Sequence, residues 1–228
     1  GLWASQAVCL MRVAHWRLDA CPSSPVPALS PCLRCLALTE KFALDPLHAE
    51  ATFLLGRINM CLGSVYKART LLQAALPRLM MHSHVRLQGE CFYALAENAI
   101  KEKAYAMKKP DLHPDAAKDV DDFGSVVGFY ARALECFTYV QDWRRMQDAN
   151  YYLARVYNRL MDLEPDAKAD HQAKRDAHAG VCLDLHTDSE RSQMDHLYFK
   201  PLYILPPDDS GAADDEEDFK TDDLVHRN

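Results

Sequence analysis

Residues 50–79 read EATFLLGRINMCLGSVYKARTLLQAALPRL, and the fold is decided here. Apolar residues recur every three or four positions, which places them on one face of a helix, and no strand-like alternation appears. A break at Gly63 divides the stretch, because glycine most readily takes the left-handed conformation that closes a helix. The two halves form a helical hairpin. Its helices approach closely only if small residues stand where their axes cross, so Gly56, Ala68 and Ala75 fit where a leucine would clash. Leu72 and Leu76 then fill the space between neighbouring hairpins.

The pattern repeats outward from this stretch. Residues 149–160, ANYYLARVYNRL, place Leu153-Ala154 and then Tyr157 as a second small-then-aromatic first helix. Residues 28–41, ALSPCLRCLALTEK, are a weaker copy about forty positions before Ala68. Helical spacing runs from Leu2 to about Leu185, broken at Cys21-Pro22, Asp45-Pro46 and Gly63, since proline removes a donor and crowds the preceding turn. Helices are predicted at about 3–18, 27–43, 47–62, 64–80, 84–107, 122–140, 142–163 and 166–185. The fold class is therefore all-α, an α-solenoid of tetratricopeptide-like hairpins over residues 1–185. A polar loop insertion covers 108–121, and residues 186–228 form a tail. In that tail the aromatic segment HLYFKPLYILPP (196–207) is expected to dock along the solenoid or a neighbour, ahead of a disordered acidic run. The chain opens on Gly1 and is already in helical pattern by Leu2, which reads as a piece of a longer protein.

Composition excludes several functions. Hydrophobic residues make up 49% and charged residues 26%, ordinary for a soluble globular protein. The net charge is −7, but residues 208–223 carry nine acids against one base, Lys220, so the body is close to neutral. Neither part offers the basic face that neutralises nucleic-acid phosphates. No apolar run is long enough to cross a bilayer, and no secretory signal segment is present, so an intracellular protein with no membrane partner is expected. Most of the eight cysteines lie in apolar helical stretches, where reduced thiols pack as small hydrophobes.

Few residues suggest chemistry. Cys32 and Cys35 form a C-x-x-C, but no second closely spaced pair follows to complete a zinc site, and at i and i+3 they share a helix face. His82 and His84 flank Ser83 as capping residues, and His171 and His178 read as a solvated face. Phosphate loops, nucleophile elbows and H-E-x-x-H motifs are all absent. The expectation is no enzyme activity, no cofactor, no metal and no small-molecule substrate.

A partner-binding groove is the more informative reading. Counting from Gly56, the groove side of its helix should carry Glu50, Phe53, Arg57 and Met60. Counting from Ala154, it should carry Asp148, Tyr151, Arg155 and Asn158. An arginine thus follows each small contact. Arg57 and Arg155 either clamp a partner's carboxylate or make ion pairs within the stack. The hairpin-packing set is Gly56, Gly63, Ala68, Ala75, Ala154 and Tyr157.

Three stretches, in this order, carry a family resemblance: residues 7–51 (AVCLMRVAHWRLDACPSSPVPALSPCLRCLALTEKFALDPLHAEA), 53–97 (FLLGRINMCLGSVYKARTLLQAALPRLMMHSHVRLQGECFYALAE) and 133–160 (ALECFTYVQDWRRMQDANYYLARVYNRL). Together they resemble the C-terminal helical-repeat region of the anaphase-promoting complex subunit 5 family. The insertion at 108–121, the charged helix after Leu163 and the acidic tail depart from the family pattern. The resemblance implies a non-catalytic scaffold in the nucleus and cytoplasm. Its partners are then other subunits of a ubiquitin ligase that marks mitotic regulators for degradation. The alternative is a stand-alone tetratricopeptide adaptor that takes short peptides in its concave groove.

Overall fold

The computed structural model describes the backbone of residues 1–108 and 123–199 and the side chains of residues 1–106 and 123–187. Among these residues all regular structure is helical: α1 (Leu2–Ala20), α2 (Val26–Lys41), α3 (Asp45–Cys61), α4 (Val65–His82), α5 (Val85–Lys108), α6 (Gly124–Tyr139), α7 (Trp143–Leu163) and α8 (Lys168–Phe199), with a single 3-10 turn at Pro165–Ala167 before α8. From α1 to α7 each helix packs on its successor, and the first helices of neighbouring hairpins also touch, α1 with α3 and α3 with α5. The chain is therefore an all-α solenoid. Residues Gly1–Ser189 form one compact unit and Glu190–Asn228 a second, of which only the helical backbone to Phe199 is described. Of the insertion predicted at 108–121, Lys108 ends α5 and the rest lies outside the described residues, as do the side chains of the aromatic tail segment and the acidic run.

Short connections force the antiparallel hairpins. Three of the turns share one geometry, in which the second residue after the helix takes positive φ: Ala43 at 50°, Gly63 at 76° and Gln141 at 55°. In each, the next amide donates back across the turn, Leu44 N to Thr39 O at 2.8 Å, Ser64 N to Asn59 O at 2.9 Å and Asp142 N to Phe137 O at 3.0 Å. This satisfies carbonyls left over at the helix end. Only Gly63 adopts the conformation without a Cβ penalty. Asp142 also caps α7, its side chain accepting from Arg145 N. Pro31 interrupts α2 internally, and the Pro27 carbonyl it leaves without an amide donor accepts from the Arg17 guanidinium at 2.9 Å.

The core is built in layers with a fixed register. Each layer combines three rows of side chains at the spacing i, i+4, i+7, i+11. The first layer takes Ala7, Met11, Ala14 and Leu18 from α1, Ala28, Cys32, Cys35 and Thr39 from α2, and Leu47, Ala51, Leu54 and Ile58 from α3. The second takes Ala49, Phe53, Gly56 and Met60 from α3, Ala68, Leu72, Ala75 and Leu79 from α4, and Leu87, Cys91, Ala94 and Asn98 from α5. The third takes Gly89, Tyr93, Ala96 and Ile100 from α5, Val126, Tyr130, Ala133 and Phe137 from α6, and Ala149, Leu153, Val156 and Leu160 from α7. A first helix thus serves two layers, with rows offset by two residues. Nearly every row member is fully buried, and apolar burial at ~25 cal/mol per Å² supplies the main cohesion of such a stack.

Small residues set the closest approaches. A Cβ added at Gly56 would stand 2.9 Å from Leu72 Cδ2, and one at Gly89 would stand 2.9 Å from both Cys136 Cβ and Phe137 Cε1. Ala68 and Ala75 are fully buried in the row that packs beside Gly56. Between hairpins, Arg145 of α7 makes a fork of two 2.8 Å hydrogen bonds to Glu90 of α5, which aligns the third and fourth first-helices. Arg86 pairs with Asp142 at 2.9 Å beside it.

The final helix runs longer than the predicted end near Leu185, reaching Phe199. Nothing in residues 186–199 breaks a helix, and the first proline after the predicted end is Pro201.

Candidate functional site

The fourth layer breaks the register. Two residues beyond the buried row of α7 (Ala149, Leu153, Val156, Leu160), the row that should face α8 is Tyr151, Arg155, Asn158 and Asp162, and all four are exposed. The matching row of α8 is His171, Arg175, His178 and Cys182, polar where the earlier layers carry Ala, Leu, Val, Tyr and Phe. Large polar side chains cannot pack at a close crossing without losing water. A cleft of about 800 Å³ lies along the α7 row and takes Arg175 and Cys182 from the α8 row, while His171 and His178 pack against Tyr157 instead. Its apolar walls include Ile100, Phe123, Tyr152, Val156 and Leu183, and Arg155, Arg159, Asp162 and Arg175 line it as well.

Aromatic packing beneath the cleft is rigid. Tyr152 stacks on Tyr130 at 5.7 Å between ring centroids and meets Tyr93 edge-on at 5.9 Å. Burial pushes the phenols of Tyr93 and Tyr130 well above the ordinary tyrosine range, so both remain neutral hydroxyls. The Arg155 guanidinium lies 5.7 Å over the Tyr151 ring and 6.0 Å over Tyr152. Arg159 pairs loosely with Asp162 at 3.6 Å, and Arg175 bonds its neighbour Asp176.

The residues predicted for the groove separate into two sets. Tyr151, Arg155 and Asn158 do line one cleft together, and Asp148, outside it, pairs with Arg145 at 3.6 Å. The set counted from Gly56 does not form a groove. Phe53 and Met60 share their row with Gly56 and are buried, 1% and 6% exposed, in the second layer. Glu50 is half-buried, and desolvation lifts its carboxyl above the usual range. Arg57 pairs with Asp19 of α1 at 3.4 Å, the ion-pair alternative. Arg155 takes the other course: among the described residues no carboxylate pairs with it.

Ala154 also needs correction as a hairpin-packing residue. The layer register puts Asn158, not Ala154, where Gly56 stands, and Ala154 is a half-buried wall of the cleft. The two arginines are therefore not equivalent positions: Arg155 occupies the place of Phe53. Tyr157 packs on α8, stacking with His178 at 5.7 Å and lying 6.0 Å from His171. Those histidines are not a solvated face. His171 is 8% exposed and bonded to Glu164 at 3.0 Å, while His178 Nδ1 donates to Asn150 Oδ1 at 2.8 Å. Desolvation lowers the pKa of His178, which favours its neutral form.

The C-x-x-C thiols point to different helices. Cys32 Sγ donates to the Ala51 carbonyl at 3.5 Å, and Cys35 Sγ donates to the Ala7 carbonyl at 3.3 Å. Burial pushes their pKa values up to about 12 and about 11, against the thiolate form that metals and electrophiles require. Among the described residues no three His, Cys, Asp or Glu side chains are grouped to hold a metal ion, and no helix is long and apolar enough to cross a membrane.

Two signals in the sequence could have located the cleft. One is the row Tyr151, Arg155, Asn158, Asp162, polar at the spacing that is apolar elsewhere. The other is the pair Arg175 and Cys182, seven positions apart on the α8 side of the cleft.

With the geometry in place, comparison with known proteins narrows the field. No family model matches the chain. Over 146 residues, covering 64% of this chain, it is 24% identical to anaphase-promoting complex subunit 5 of Rattus norvegicus and 25% identical to that of Mus musculus. The chain spans 18% of the length of these curated relatives, so the likeness is distant and partial.

Proposed function

We propose that the chain serves as a non-catalytic scaffold subunit of an anaphase-promoting complex, acting in the nucleus and cytoplasm. The observation that carries this reading is the 24–25% identity over 146 residues to subunit 5 of that complex from two organisms, in a chain whose helices stack as a repeat solenoid. A solenoid suits a scaffold physically. Each hairpin contacts only its neighbours, so faces and ends stay available to other proteins. Ubiquitin transfer on this reading belongs to other subunits, and the chain contributes surfaces rather than reacting groups. Its partners are those subunits, with no nucleic acid, membrane or small-molecule substrate among them.

Affinity purification of the tagged full-length protein from dividing cells, with quantitative mass spectrometry, tests the proposal. Cullin-like and RING-like ligase subunits recovered in amounts equal to the bait support it. Their absence overturns it and favours the stand-alone adaptor.

A further inference from the structure

The first three layers close because a third, apolar row from the next helix fills the space left by each hairpin. The fourth has instead a cleft with a different chemistry. We propose that this cleft between α7 and α8 docks an acidic, apolar-flanked segment of a partner protein, with Arg155 clamping its carboxylate. This docking does not depend on which complex the chain joins.

Charge complementarity points to an acidic occupant. Three arginines, Arg155, Arg159 and Arg175, line the cleft against one acid, Asp162; Arg159 pairs with that acid and Arg175 with Asp176, which leaves Arg155 to a partner. The inter-hairpin arginines Arg57 and Arg145 each have a carboxylate partner, Asp19 and Glu90. Arg155 has none among the described residues, although it holds the place that Phe53 and Tyr93 fill in the layers below. Its guanidinium is braced over Tyr151 and Tyr152, and Tyr152 is in turn stacked on fully buried Tyr130. A guanidinium is a planar fork that can give a carboxylate two parallel N–H donors, and the flanking rings offer this one a surface to lie on. The walls call for aliphatic or aromatic side chains beside the carboxylate. The volume, about 800 Å³, lies within the ~300–1,000 Å³ typical of ligand clefts.

The test begins with a displayed library of random peptides, selected on the immobilised full chain and counter-selected on Arg155→Ala. Selected sequences should carry Asp or Glu next to Leu, Phe or Tyr. The best of them, fluorescein-labelled, is then measured by anisotropy. Arg155→Ala should weaken it about tenfold, the scale of one charge-assisted hydrogen-bonded pair. Changing the peptide's Asp to Asn should cost about the same, with no further loss on Arg155→Ala. Asn158→Trp, which fills the cleft at an exposed position, should also abolish binding, whereas Arg57→Ala should leave the affinity unchanged. Circular dichroism checks that each variant is folded. Selection of basic or neutral peptides, no selection at all, or equal loss in Arg57→Ala overturns the proposal. So does a dimer in light scattering that Arg155→Glu dissociates, since the occupant is then a second copy of this chain.

Discussion

Replacing four helical glycines by alanine one at a time separates backbone effects from packing. In a helix interior each Gly→Ala change should gain about 1 kcal/mol from propensity alone. At Gly128 and Gly180 an added Cβ meets nothing within 4 Å, so the gain is undiluted. With about 2–4 °C of Tm per kcal/mol for a chain of this size, both variants should melt higher by about that amount. Gly89 differs, because its new Cβ would stand 2.9 Å from Cys136 Cβ and from Phe137 Cε1, where ~3.5–4.0 Å is comfortable. Neither atom is the tip of a flexible chain, and Phe137 is fully buried, so α6 must shift as a body. Overpacking of this kind costs about 2–3 kcal/mol, leaving a net loss of about 1–2 kcal/mol and a Tm lower by about 2–8 °C. Gly56 should fall between, since its neighbours are Leu72 Cδ2 at 2.9 Å and Cγ at 3.0 Å, one buried side chain that must change rotamer rather than a helix that must move. The assay is thermal and urea unfolding followed by circular dichroism. A Gly89→Ala protein as stabilised as Gly128→Ala would refute the close α5–α6 approach and, with it, the register of the third layer.

Three further perturbations probe other contacts. Arg145→Ala strips the two-point partner from Glu90, whose side chain is 16% exposed, and should cost about 1.5–3 kcal/mol in urea unfolding; Arg145→Lys should not restore it, lacking the fork. Burial raises the carboxyl pKa of Glu97 in the folded chain, so this group's contribution is present at low pH and is lost as pH rises from 4.5 through its folded value. Glu97→Gln should therefore raise Tm at pH 7 and flatten that slope, and an unchanged slope would count against the burial argument. A disulfide thiol reagent should label exposed Cys9, Cys21 and Cys61 quickly in the native protein and reach Cys32, Cys35 and Cys91 only at the rate of unfolding. Prompt labelling of Cys91, whose pKa burial pushes up to about 12, would contradict the second layer as described.

Hairpins, turn positions and, among the described residues, the absence of strands are legible because they follow from local rules. Gly63 stands between two apolar-periodic stretches, where the left-handed conformation ends a helix, and its φ of 76° bears out the turn. The crossing at Gly56 was legible for the same reason, since a small residue amid leucines has a steric meaning of its own. Register between repeats was not. Aligning Gly56 with Ala154 matched two small residues, whereas the layers align Gly56 with Asn158, and only contacts across helices reveal that shift. The same slip put Phe53 and Met60 on a groove face when their row is buried. Arg155 was found as a candidate, but its distinction from Arg57 depends on Asp19, a residue 38 positions before Arg57. The role of His178 likewise depends on Tyr157 and Asn150, which no spacing within α8 encodes.

The claim that the chain is a structural member of a ligase assembly is tested most directly by the size of that assembly. Extracts of dividing cells depleted of this protein, and of the same cells given it back, are sedimented through a gradient, and the cullin-like and RING-like subunits are followed. Depletion should move these subunits into smaller particles, and the returned protein should restore the large one. Unchanged sedimentation after depletion would contradict it.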